Sequence, residues 1–448
     1  VPYAFITFAQ AQSILASRLE DAGLTFWNQP NELANSIIEA VRTFQALTGS
    51  YKQQFGFFTT PFVPYYDLTQ LPASPINFNV TDVEVANNVL AALLEPPLTA
   101  AWVGTGQFTF TQLLNALQSR VNRYLGDTGA IVTEQTLANA GALETIAVPD
   151  PVLDVRRAAW QIPGPGSPPT LAFSIGMTDE WAEQAYVPDR TPTQPTNFAI
   201  FVDQPQQMRF IPPPAAAGSV ECLFVKSGPT VSLNPASPVI LPIPDDLTPA
   251  IKWGVISDLL SGDGLDRDPA RAQYAEQRYR EFVQTCWIYP SVLLPSQCGI
   301  PIGIGSVFDL DSYTPEWEQI PGPPGFIGMC GRNMACVGPT PDGQYSIGLW
   351  ISVNAPVLNG PLSFIQLSRD QIDPMLDMAQ HIASFKMGGQ EFTMSDKLYQ
   401  NFIQSATAQN ARLNAISFWR SQIEQPHDKS EMQVPRMLRV DQYPYGER

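Results

Sequence analysis

Only two histidines, His381 and His427, stand in a chain of 448 residues, so acid–base chemistry would fall mainly on carboxylates. Candidates are Asp309 with Asp311, and Asp263 with Asp266 and Asp268. Such work needs two carboxyl groups facing each other across a groove, a geometry that spacing along the chain does not decide. The run from Asp263 to Asp268 opens like a calcium loop, yet its twelfth position is Tyr274, where a bidentate glutamate belongs. A turn between two helices accounts for it better. His381 falls on a buried-looking helix and reads as a satisfied histidine, while His427 lies in a polar tail.

Other chemistries have less support. Five cysteines (Cys222, Cys286, Cys298, Cys330, Cys336) are scattered with no CxxC spacing. A zinc site is therefore not expected, and the thiols read as reduced core residues made in a cytosol. No GxSxG, HExxH or GxxxxGK[ST] motif occurs, and the glycines of 299–305 lack a βαβ context. Trp102, Trp181, Trp253, Trp317 and Trp350 read as core or interface anchors rather than sugar-stacking platforms. No catalytic, cofactor-binding or metal-binding residue is expected, and no cofactor. Arg120 with Arg123, and Arg156 with Arg157, read either as salt bridges and exposed faces or as intersubunit ion pairs that fix register.

Composition points the same way. Charged residues make up 15%, against about a quarter in ordinary globular domains, and proline contributes 43 residues. Low charge with high proline suits large surfaces that meet other chains. With 25 basic and 42 acidic residues the net charge is −17, poorly matched to gripping nucleic acid phosphates. No apolar run is long enough to span a membrane. The start at Val1-Pro2-Tyr3 lacks a signal peptide's basic region and reads as a chain whose initiator methionine has been removed.

The elements that would position any site appear duplicated. Residues 7–18 and 109–120 align without a gap, with Thr7/Thr109, Phe8/Phe110, Gln10/Gln112, Leu15/Leu117 and Arg18/Arg120 identical. Each threonine sits where an N-cap belongs, and Gly23 and Gly126 or Gly129 are expected C-caps. Residues 208–225 and 334–351 each read as strand, proline-rich turn and strand, which predicts two β-hairpins. A helix follows each, with Asp245, Leu247, Pro249, Ile251, Trp253 and Gly254 answering to Asp370, Ile372, Pro374, Leu376, Met378 and Ala379. In both, the aspartate is expected to cap and the proline to sit in the first turn; Gly254 or Ala379 then admits a close neighbour. Tyr66-Asp67-Leu68, Leu153-Asp154-Val155 and Phe308-Asp309-Leu310 read as three similar strands, and a short helical piece is expected near 178–186.

The fold class expected is α+β, built from internally duplicated units of helices plus β-hairpins or small antiparallel sheets. Four segments are expected: a mainly helical region 1–129, a β-rich unit with a helix pair over 130–290, a second such unit over 291–423, and an extended arm over 424–448.

The run Pro244-Asp245-Asp246-Leu247, a helix, a glycine-rich break, and then Asp268-Pro269-Ala270-Arg271 to Tyr279, preceded by strand–PxP–strand, resembles tailed-bacteriophage structural proteins. The closest resemblance is to the head-to-tail connector or neck adaptor class, and it extends from residue 1 to about 420. It implies a virion protein that forms a ring with copies of itself, contacts portal and tail proteins, and lets double-stranded DNA pass without specific binding. No membrane contact and no catalytic residues come with that class. The chain departs from the usual small adaptor by its length and its doubled motif, which leaves adaptor, nozzle and collar roles open. Two other readings stand beside it: a tail or baseplate protein that binds a host receptor, and a carboxylate-based cell-wall glycan hydrolase.

Overall fold

The computed structural model describes residues 5–409 except 28–31, 75, 77, 100–106, 164–169, 179–192, 202–205, 263–266, 289–291, 296–301 and 359. The short helical piece expected at 178–186, His427, Cys298, Trp102, Trp181 and the arm over 424–448 lie outside the described residues, wholly or nearly so. The chain is α+β, and its helices begin where local chemistry dictates. In α1 (Phe8–Arg18) the Thr7 hydroxyl accepts from Gln10 N, while the Gln10 side chain accepts from Thr7 N. Helix α4 (Phe110–Thr128) opens on the same reciprocal pair, Thr109 and Gln112, and closes on Gly129 in the left-handed region. Gly23 does not cap α1, whose chain direction turns instead at Glu20, also left-handed.

Following the chain, α2 (Glu32–Thr48) leads into β1 (Lys52–Phe58) and β2 (Tyr65–Asp67); α3 (Asp82–Ala92) and α4 lead into β3 (Val132–Asn139) and β4 (Thr145–Ala147). Then come β5 (Val152–Pro163), β6 (Thr170–Met177), β7 (Asn197–Phe201), β8 (Gln207–Ile211) and β9 (Gly218–Lys226), followed by α5 (Pro249–Ser261) and α6 (Pro269–Ile288). The remainder is β10 (Val292–Pro295), β11 (Gly303–Ser306), α7 (Val307–Tyr313), β12 (Pro321–Gly322), β13 (Phe326–Cys330), β14 (Met334–Gly338), β15 (Thr340–Pro341), β16 (Ser346–Ser352), α8 (Arg369–Ser384) and α9 (Gly389–Met394). Residues 396–409 are helical.

Strand pairing shows what is duplicated. β1 pairs antiparallel with β16, as β3 does with β9. β16 takes β10 on its other edge, as β9 takes β5, each with a break in register. β11 runs parallel to β13, as β6 does to β7. β13 pairs with β14 and β14 with β2, as β7 pairs with β8 and β8 with β4, all antiparallel. The sheets β1-β16-β10 and β11-β13-β14-β2 share one apolar core of Phe55, Tyr66, Ile327 and Leu349, and the seven-stranded sheet has its own, with Val155, Trp160, Phe210 and Phe224.

The helices correspond as well. α2 and α4 both end Thr-Gly, with Gly49 and Gly129 left-handed and the Thr48 and Thr128 hydroxyls donating to Phe44 and Tyr124 carbonyls. α1 and α3 are both capped by a threonine, Thr7 or Thr81, that bridges the segment ahead of the later helix, at Phe364 or Ile240. α2 packs on α8 as α4 packs on α5. We therefore divide the described chain into an inner unit, residues 81–288, and an outer unit formed by 5–68 with 292–409. The inner unit is inserted between β2 and β10 of the outer one. The inner unit runs through the expected boundary at 129/130, and residues 5–68 belong with 292–409, since β1 completes its sheet with β16.

Five local expectations are corrected. The strands of each expected hairpin do not pair with each other: β8 lies between β7 and β4, and β9 between β3 and β5; β14 and β16 likewise part. Their proline-rich links lack the N–H groups that close a tight turn. Phe308-Asp309-Leu310 is helical because Ser306 and Asp309 cap each other. Pro249 occupies the first helical turn of α5, but α8 starts earlier, at the Ser368–Gln371 capping pair, so Pro374 falls inside it. Neither aspartate caps its helix: Asp245 accepts from Asn79 N and Val80 N, and Asp370 from the Ser368 hydroxyl. Finally, the matched starts of α1 and α4 are not equivalent in the fold, because α1 corresponds to α3.

Candidate interaction site

The residues singled out for chemistry are occupied structurally. His381 is 1% exposed; its Nε2 lies 2.6 Å from the Tyr274 hydroxyl and its Nδ1 2.8 Å from Ser395 Oγ. Ser395 Oγ donates to the Phe392 carbonyl at 2.6 Å, so its proton is not aimed at the imidazole. Burial, aided by Arg278, pushes the His381 pKa down to about 3, leaving a neutral ring that accepts from Tyr274 and donates to Ser395. Asp309 is spent on its helix cap and Asp311 on Arg157. Asp268 accepts from Arg271 N at the start of α6, in keeping with a turn between helices. Cys222, Cys286, Cys330 and Cys336 are free and buried, as core residues are. Trp253 and Trp317 are fully buried, whereas Trp350 is 38% exposed.

The arginines form pairs within the chain. Arg120 holds Asp258 through two nitrogens and Glu276 through the third, tying α4 to α5 and α6. Arg156 pairs with Asp154. Arg157 is the anchor between the two units. From β5 it grips Asp311 at 2.7 and 2.9 Å and Glu318 at 2.9 Å, and its guanidinium lies over the Trp317 ring. The Tyr65 hydroxyl joins the same cluster. The reading of Arg157 as an intersubunit pair is thus replaced by one between units of a single chain. The expected close approach at Gly254 is present: a Cβ there would meet Arg120 and Tyr279 side chains.

Three further contacts lock the seam. Glu39 of α2 accepts from Lys252 Nζ and from Trp253 Nε1, both in α5. Asp246, whose pKa burial pushes up to about 7, accepts from Ala355 N. Asn333 exchanges two hydrogen bonds with the backbone of Val132. Glu39, Lys252, Tyr65 and Glu318 escaped the sequence reading. Their signal was present, since Lys252 stands alone in the apolar run Ala250-Ile251-Lys252-Trp253-Gly254-Val255, and a lone buried charge implies a partner.

Two concave surfaces flank α1. A groove of about 500 Å³ is lined by Phe8, Gln12, Arg42, Val357 and Pro361, and a second of about 350 Å³ by Ser13, Leu24, Trp27 and Leu33. Near their rims Phe5, Leu24, Leu362 and Phe364 are 44–79% exposed. Among the described residues no group of three or more acidic, histidine or cysteine side chains is arranged to hold a metal, and no helix is long and apolar enough to cross a membrane.

A protein-family model described as SU10 adaptor protein matches residues 84–285. The matched stretch begins in α3 and ends in α6, so it coincides with the inner unit. This similarity points to a phage adaptor-type protein, a virion component with a structural role, and it implies a non-enzymatic one. No curated protein matches the chain.

Proposed function

We propose that the chain is a neck or tail component of a tailed-phage virion, forming a ring of its own copies that joins the portal to the tail and leaves a passage for double-stranded DNA. The observation that carries this reading is the adaptor-family match over one complete fold unit. The same pairing pattern recurs in the outer unit, so each chain presents two adaptor-like units. A seam of buried ion pairs at Arg157 and Glu39 supports a rigid building block. A net charge of −17 favours a wall that DNA slides past, because like charge repels phosphate.

The test is attachment. Purified chain mixed with tail-less, portal-bearing capsids should bind stoichiometrically at one vertex, visible by electron microscopy. Uniform decoration of the capsid, or no binding, would overturn the proposal.

A further inference from the structure

The two units meet head to tail, and that leaves one unmatched face at each end of the chain. Within the seam, Asn35, Glu39 and Arg42 of α2 face Glu84 and Asn88 of α3 and Thr248 and Lys252 of α5. Arg42 pairs with Glu84 at 3.2 Å and Glu39 with Lys252 at 2.5 Å. The fold correspondence gives each side of this seam an equivalent elsewhere. On α4, Asn115, Ser119 and Arg123 take the places of Asn35, Glu39 and Thr43. Glu39 and Thr43 are buried, whereas the three α4 residues form an exposed stripe. On the outer unit, Gln10, Ile14 and Ser17 of α1 take the places of Glu84, Asn88 and Ala91, and they too are exposed. Asp373 and Asp377 of α8 take the places of Thr248 and Lys252. Thr248 is 2% and Lys252 8% exposed, while the Asp373 side chain is 80% exposed.

We infer that the outer stripe of α4 docks on the α1–α8 face of a second copy of this chain, repeating between chains the packing seen between units. Charge supports that occupant. In the seam Glu39 of α2 meets Lys252 of α5, and Arg42, one turn on, lines the same cleft as Thr248. Transposed, the turn of α4 that carries Asn122 and Arg123 falls beside Asp373. Arg123 and Asp373 are of opposite sign and at least half exposed; within the chain Arg123 meets Asp127 at 3.5 Å and Asp373 meets Arg18 at 2.8 Å, so the contact between copies would extend these pairs into a network. At the equivalent of Lys252, α8 carries Asp377, a reversal that disfavours exchanging the inner and outer seams. The two faces differ, so the contact is heterologous and propagates from chain to chain. Each chain then adds two quasi-equivalent units to the array.

This inference rests on the self-association in the proposed function, and the experiment separates the two. The mass of the full chain is measured by sedimentation over a concentration series for wild type, Arg123→Glu, Asp373→Arg and the double variant, with melting temperature as the folding control. Each single variant should associate at least tenfold more weakly, and the double variant should recover. Asn115→Trp, which touches no ion pair, should also weaken association. Wild-type association in all the variants would overturn this surface and leave self-association standing. A wild type that stays monomeric throughout would overturn the self-association reading, and the inference with it.

Discussion

Arg157 Nη1 lies 2.9 Å from Glu318 Oε1, and both side chains are almost completely withdrawn from water, 3% and 4% exposed. One residue belongs to the inner unit and the other to the outer. Desolvating both charges is costly, and geometry this close is what offsets it. The pair therefore specifies how the units sit more than it adds stability.

Removing one partner should be far worse than removing the pair. Arg157→Met leaves Glu318 and Asp311 facing an apolar side chain, and loses about 3–5 kcal/mol as measured by the urea midpoint. A loss below about 1 kcal/mol would show that the cluster does not hold the units together.

Gly331 should resist substitution. Its φ is +70°, and a Cβ would sit 2.8 Å from the Gly129 carbonyl and 2.9 Å from a Val132 methyl. Neither the backbone conformation nor the packed neighbour can give way cheaply. Gly331→Ala is expected to destabilise by roughly 1–3 kcal/mol, read from thermal melting, while Gly343→Ala, with only ordinary contacts nearby, should be near neutral.

Two buried groups give the stability profile opposite slopes. Burial, with Glu318 and Glu134 nearby, pushes Glu221 up to about 8, so the folded chain keeps a proton that the unfolded chain releases near its ordinary value of 4.5. The contribution is fully present below pH 4.5 and is lost as pH rises to about 8, with a limiting slope of about 1.4 kcal/mol per pH unit. Glu221→Gln should flatten that limb of the urea midpoint between pH 5 and 8; an unchanged profile would contradict it.

His381 acts with the opposite sign. Its folded pKa is depressed to about 3, so its contribution is present above pH 6.5 and is lost as pH falls towards 3. His381→Gln should make the acid limb between pH 6 and 4 shallower, whatever it does to stability at pH 7. A limb that steepens would show that the imidazole is protonated in the folded chain.

The arm should be separable from the fold. The apolar core, among the described residues, ends at Ala406. A chain ending at residue 423 should melt as the full chain does and attach less well to portal-bearing capsids. Failure to fold would contradict this.

Local chemistry made much of this legible in the sequence. The Thr7–Gln10 and Thr109–Gln112 pairs marked helix starts, Pro249 the first turn of α5, and Gly254 a close approach, because each acts within a turn of itself or on its nearest neighbour. Duplication was visible in residues 208–225 against 334–351, whose second strands fall on β9 and β16. Its nesting was not. Lys52 of β1 pairs with Ser352 of β16, and pairings at that separation leave no periodic trace. The shared start of α1 and α4 misled because a capping box reports how a helix begins and not which helix it is. The seam was hidden for a related reason: Glu39 and Lys252 look like ordinary helix charges until the fold buries them together.

The most direct test of the account is the mass of the purified full-length chain in solution as its concentration rises. Discrete assemblies of whole chains are predicted, forming at lower concentration when portal-bearing capsids are present. A chain that remains monomeric at every concentration, with or without capsids, would contradict it.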